Sequence, residues 1–312
     1  MHSIDFALLS IVFAINPSLK GSFSNMSLLA FSLIFLSACM HATWNYLAKK
    51  SDSGSTFVWL YLTVSTIVYA PVIIIFSFFQ HFNIGWTEVL FIIGSAILHL
   101  VYSVTLQKGY KVGDLSVIYP IARGTGPLLV AIFAIFLFDE QLNWIGVLGV
   151  ALFVMSVFIL SGGLQVIKKA NSLLPIGYGL LIGVMIAGYT LLDKGAVSIV
   201  FVSPLLLNYA SILGQFLLLS PVAKKQWSQV KSDWQQHRKE AIGVGILNPL
   251  AYILILTTMM FTPVSHVAPV REVSILIGAI MGTYLLREGF GIRRVIASGM
   301  MIIGIIALTF SG

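Results

Sequence analysis

Charge is what this chain has least of. Only 9 % of its 312 residues are Asp, Glu, Lys or Arg, against about 25 % in an ordinary soluble domain. So small a share excludes a water-exposed globular surface. Cysteine occurs once, as Cys39, so no internal disulfide can form, and inside an apolar run the residue reads as a small packing side chain. Short alternating strands are missing, which excludes a membrane barrel. There is no His-Glu-x-x-His metal motif, no Gly-x-Ser-x-Gly elbow and no Walker loop, so no metal, cofactor, ATP or enzymatic activity is expected. The net charge of +7 is carried almost wholly by loops. There it orients a membrane protein instead of binding nucleic acid.

What the chain has in abundance is apolar length. Hydrophobic residues make up 58 % of it and the mean hydropathy is +0.97. Repeated apolar runs of about 20 residues predict an all-α polytopic membrane protein embedded in a lipid bilayer. Ten spans are expected, over 28–48, 55–79, 86–107, 114–138, 142–161, 173–193, 200–223, 241–260, 265–286 and 292–311. Residues 1–27 form a separate non-spanning segment, because Ile4 to Ile15 is too short to cross; Met26 is an alternative start. The one larger polar loop is Lys224 to Glu240. With Trp227 and Trp234 it reads as an amphipathic connection at an anionic membrane surface.

The spans fall into two similar units, 28–165 and 173–312. His41 to Lys49 answers Ile186 to Lys194, with Trp44 opposite Tyr189. Tyr102 aligns with Tyr252, and Ser116, Pro120, Arg123 and Glu140 align with Ser265, Pro269, Arg271 and Glu288. Two units of five helices each must enter the membrane with opposite orientation, because five is odd. That inverted 5+5 repeat is the signature of secondary transporters, whose site lies near mid-membrane between the halves. Fourteen of the 18 Lys and Arg residues fall in the loops after odd spans. Lys20 and Lys194 lie on the other side, and Arg123 and Arg271 lie within spans. The positive-inside rule puts the odd loops in the cytoplasm and both termini outside.

The candidate site starts from the two arginines. A charge held in mid-membrane is expensive and therefore functional by default. Arg123 has Tyr119 one turn before it, between the helix-breaking Pro120 and Pro127; a guanidinium there suits a substrate carboxylate or phosphate. The competing reading is a tie between helices. Arg271 and Glu272 are neighbours about 100° apart around one helix. Glu272 reads as the one acid well inside a span and as the candidate proton acceptor; a permanent ion pair with Arg123 or Arg271 is the alternative. His41, Trp44 and Asn45 share one helix face, and His99 and Tyr102 another. Asn248 and Tyr252 are one turn apart. Such polar and aromatic faces suit a pocket for a small organic substrate, or else ordinary interhelical hydrogen bonds. His41 is the second proton-coupling candidate. His266 reads as interfacial, and Lys49, Lys194, Glu140 and Glu288 as structural residues at span ends. Gly179/Gly183 and Gly278/Gly282 read as close helix packing.

The ten-helix duplication, the run His-Ala-Thr-Trp-Asn-Tyr-Leu-Ala-Lys at 41–49 and the acid between spans four and five resemble the EamA-type transporters of the drug/metabolite transporter superfamily. The resemblance covers roughly residues 28–312. It implies alternating access around a central cavity lined by spans 1, 3, 4, 6, 8 and 9. It also implies both termini in the cytoplasm, the reverse of the charge count. The expected function is secondary transport of a small polar or amphipathic metabolite, most simply its export, driven by protons or exchange and located in a cell membrane such as the bacterial inner membrane. Two alternatives remain at this point: a flippase for a lipid-linked headgroup, which needs a groove open to lipid, and an intramembrane enzyme, for which no nucleophile–base or metal constellation is present.

Overall fold

The computed structural model describes residues 27–51, 54–79, 84–112, 115–141, 143–160, 173–274, 277 and 292–309. Among them are ten helices and no strand. In chain order these are α1 (Leu28–Ser51), α2 (Ser55–Phe79), α3 (Trp86–Val112), α4 (Leu115–Phe138), α5 (Trp144–Leu160), α6 (Leu173–Ser198), α7 (Pro204–Lys225), α8 (Trp227–Met259), α9 (Val264–Arg271) and α10 (Ile292–Thr309). Helices are the outcome dictated by lipid, which offers no partner to an open backbone group. Seven of them, α1 to α4 and α6 to α8, are long and apolar enough to cross a membrane; α5 and α10 carry shorter apolar stretches. Their outward faces are apolar, with Ile67, Phe78, Phe136 and Leu148 all exposed, as a lipid-facing surface must be.

Several boundaries differ from the sequence expectation, α3 running on to Val112 and α7 starting at Pro204, and two further differences bear on the site. The sixth span does not stop at residue 193: α6 continues to Ser198, because Gly195-Ala-Val-Ser198 is still apolar and small. The polar stretch 224–240 is not a loop. From Trp227 it is helix, joined to the apolar part of α8 across a kink at His237, where φ is −126° and ψ 25°. Its amphipathic character holds, since Val230 and Asp233 turn inward while Trp227 and Trp234 are exposed. Asp233 accepts hydrogen bonds from Thr56 at the start of α2 (2.5 Å) and from Gln229 (2.7 Å). Lys50 closes on Glu240 at 3.0 Å, and that carboxylate raises the lysine's pKa.

The helices pair in a regular pattern. α4 runs along α6, α5 along α10, α1 along α8, α3 along α6, α2 along α8, and both α2 and α3 along α7; α9 touches α1 and α4. Exchanging the first five helices for the last five turns this set into itself: α1–α8 becomes α3–α6, and α2–α8 becomes α3–α7. The closest crossings are made by glycine. A Cβ on Gly183 would stand 2.6 Å from Thr125 Cβ, and one on Gly179 2.8 Å from Ile121 Cβ, so the expected role of that pair in tight packing holds. Gly149 of α5 and Gly304 of α10 face each other, and a Cβ on either would meet the other's carbonyl oxygen at 2.8 Å. Gly278 and Gly282 lie outside the described residues. Pro249 in α8 leaves the carbonyl of Gly245 without its helical donor, and the Ser65 hydroxyl of α2 donates to that oxygen at 2.8 Å.

Candidate transport site

Helix α9 ends at Glu272, whose φ of −75° and ψ of 0° break the helix in mid-protein. The break delivers two neighbouring charged side chains to different places. Glu272 is completely buried and takes both of its oxygens to Arg123 of α4, which donates from Nη1 at 2.9 and 2.8 Å. Arg271 donates from Nε and Nη2 to Oε1 of the same carboxylate, more loosely, at 3.4 Å. The ion pair weighed from the sequence is therefore present, and it includes both arginines. Arg123 Nη2 also stands 3.4 Å from Nε2 of His41 on α1, while the Trp44 indole donates to Nδ1 of the same ring at 3.2 Å. A neutral imidazole has one acceptor nitrogen. His41 can therefore serve only one of these two donors at a time.

Beside this cluster lies a cavity with about 90 Å³ open to a sphere the size of water, enough for several water molecules. Trp44, His99, Tyr102, Tyr189, Asn248, Tyr252 and Arg271 line it, with Asn208 and Gln215 of α7. Trp44 and Tyr189, matched in the repeat, thus look into one chamber, as do Tyr102 and Tyr252. Of the sequence-predicted residues, His41, Trp44, His99, Tyr102, Asn248, Tyr252 and Arg271 reach the cavity; Arg123, Glu272 and Asn45 do not. Asn45 donates to the His41 carbonyl of its own helix at 2.7 Å. The side chain of Tyr119 lies outside the described residues.

Sequence reasoning missed a second acid. Glu272 is not alone within the spans, because the extra length of α6 puts Asp193 inside as well, and it too is completely buried. Asp193 Oδ2 accepts from the Tyr252 hydroxyl at 2.5 Å and faces His99 Nε2 at 2.9 Å. The rings around it interlock: His99 stacks on Tyr189 at 4.1 Å between centroids and meets Tyr252 edge-on at 5.2 Å. Asp193 Oδ1 and Thr190 Oγ1, one turn earlier, have no hydrogen-bond partner among the described residues. The sequence signal was the apolar run that continues past Lys194.

Residues 173–310 match the model of the EamA-like transporter family. That match covers less than half of the chain and makes residues 173–310 similar to an EamA-like transporter domain. No curated protein matches in sequence. Twenty-eight chains of solved structures match; one of them, a crystal structure described only as that of a protein, aligns with 91 % of this chain and 98 % of its own at a TM-score of 0.69 and 14 % identity. That likeness concerns the fold alone. With seven described helices long and apolar enough to cross a membrane, the chain is a multi-pass membrane protein.

The ends of α6 and α8 and the start of α9 meet the end of α4. Glu140 is not simply solvated in its loop: its two oxygens accept from the N–H groups of Val264 (2.7 Å) and Ser265 (3.0 Å) at the start of α9. Its negative charge suits the positive end of that helix. Lys194 does not snorkel to headgroups either. It is buried and donates to the carbonyls of Met259 (2.7 Å) and Thr262 (3.2 Å) where α8 ends. His266, expected at an interface, is buried in the first turns of α9. These contacts tie the helix ends together on the side of the even loops. The side chain of Lys49, and Glu288 altogether, lie outside the described residues.

Proposed function

We propose that this protein is a secondary transporter that moves a small polar or amphipathic metabolite by alternating access between two inverted five-helix units, with export as the working direction. The observation that carries the reading is the chamber that brings an arginine, two histidines and five aromatic rings from both halves to one space. The self-mapping helix pairing supports the inverted repeat. Arg271 is the substrate's anion contact, because its guanidinium faces the chamber and holds Glu272 only loosely. Arg123 and Glu272 join α4 to α9, the two helices that must move relative to each other. Trp44, Tyr102 and Tyr189 stack an organic body and Asn248 orients its polar groups. A chamber lined from seven helices favours this over a flippase, which needs a groove open to lipid. The odd loops face the cytoplasm by the charge count.

The test is a thermal-shift screen of the purified protein against amino acids, amines and phosphorylated metabolites, followed by uptake of the strongest binder into proteoliposomes. Arg271→Ala is expected to lose at least tenfold in substrate affinity with the fold intact, since charge-assisted hydrogen bonds contribute about 1.5–3 kcal/mol each. Wild-type flux in that variant removes Arg271 from the binding role.

A further inference from the structure

We infer that the proton that drives transport is held by Asp193, loaded through His99, and not by the carboxylate of Glu272; this rests on the transporter reading above. Protonating Glu272 would leave two buried guanidinium groups facing a neutral acid, and stranding buried charges is costly. Protonating Asp193 strands nothing. Its neighbours on Oδ2 are a phenol and an imidazole, and its bare Oδ1 is an unsatisfied buried oxygen, which a charged carboxylate tolerates worst.

The route is set by exposure. Asp193 itself is sealed, whereas the His99 side chain is 16 % exposed and lines the chamber. A proton arrives on His99 Nδ1 from chamber water, and the Nε2 proton passes to Asp193 Oδ2. The products are a neutral imidazole carrying its hydrogen on Nδ1 and a neutral carboxylic acid. One proton is bound and one negative charge removed. The charged and titratable groups around Asp193 are few. α3 presents His99 and Tyr102, and α8 presents Tyr252. α9 presents Arg271 beside Glu272, and α4 holds Arg123 against that same glutamate. α7 contributes the uncharged Asn208, Ser211 and Gln215 to the chamber. On α6 itself Tyr189 packs on His99, and Lys194 is turned away to the carbonyls that end α8. A metal cation is the poorer occupant. Among the described residues, the buried side-chain oxygens there without a partner are Asp193 Oδ1 and Thr190 Oγ1, too few for the oxygen cage that hard cations take.

The test is an infrared pH titration of the full-length protein in lipid, with no substrate present, following the stretch of protonated carboxyl groups. A band that grows as pH falls is expected. It should move on heavy-carbon labelling of aspartate carboxyls, stay put on labelling of glutamate, and vanish in Asp193→Asn. In His99→Gln, which keeps a donor for Oδ2 but relays no proton, the band should survive but rise more slowly after a jump to lower pH. A band that moves with labelled glutamate or persists in Asp193→Asn overturns the assignment. An unchanged rate in His99→Gln overturns the relay, and loss of the band when sodium replaces choline at fixed pH overturns the proton assignment in favour of a cation. Because no flux is measured, failure of the transporter reading leaves a normal titration with silent proteoliposomes, whereas failure of this assignment leaves flux without the aspartate band.

Discussion

Glu272 is the residue on which most of the buried charge converges. It accepts from two arginines on two helices with no exposure to solvent. Removing the shared acid takes away the carboxylate that both cations hold, and breaking a buried pair in this way costs about 3–5 kcal/mol. Glu272→Ala should therefore lower the midpoint of thermal unfolding in detergent far more than Asn45→Ala, whose side chain only touches its own helix; equal midpoints would show that the cluster is hydrated. The sequence made these three residues legible because charge within an apolar run is rare and conspicuous. It hid Asp193 because an Asp-Lys pair reads as the end of a span. Only the packing of α6 reveals that the helix goes on for another turn and that both side chains are spent inside.

Among the elements, glycine decides how close helices come. A methyl group at Gly304 would meet the Gly149 carbonyl, and one at Gly183 would meet Thr125, whereas Gly177 has nothing within 4 Å. Overpacking of this kind costs about 1–3 kcal/mol, and the glycine-to-alanine change itself favours a helix by up to ~1 kcal/mol. Gly304→Ala and Gly183→Ala should unfold at lower temperature than wild type, and Gly177→Ala at the same or a higher one. If all three match wild type, the crossings have room to spare. The Gly179/Gly183 spacing announced its crossing in the sequence. Gly149 and Gly304 did not, since lone glycines far apart carry no pattern until the fold sets them face to face. The amphipathic start of α8 was half legible: its two-sided character followed from composition, but the helix depends on Thr56 and Gln229 engaging Asp233, which no local pattern records.

For the whole molecule, number and type of helix followed directly from hydropathy, because lipid leaves the backbone so few choices. Topology is less constrained: the positive-inside count and the family resemblance point opposite ways for the termini. The protein offers a clean measurement, having a single cysteine to remove. In a Cys39→Ala background, a cysteine at Ile199, exposed after α6, should react with a membrane-impermeant maleimide on intact cells. One at Lys225, exposed at the end of α7, should react only after permeabilisation. The opposite pattern would invert the molecule in the membrane.

The crossing of α5 and α10 bears on how such a protein can move at all. Backbone there lies against backbone with no side chain between, so the two helices have almost no freedom to slide or separate. Under the alternating access proposed above, a pair so placed would act as a fulcrum: small rotations about it would swing the far ends of the remaining helices through large arcs and offer the chamber first to one face of the bilayer and then to the other.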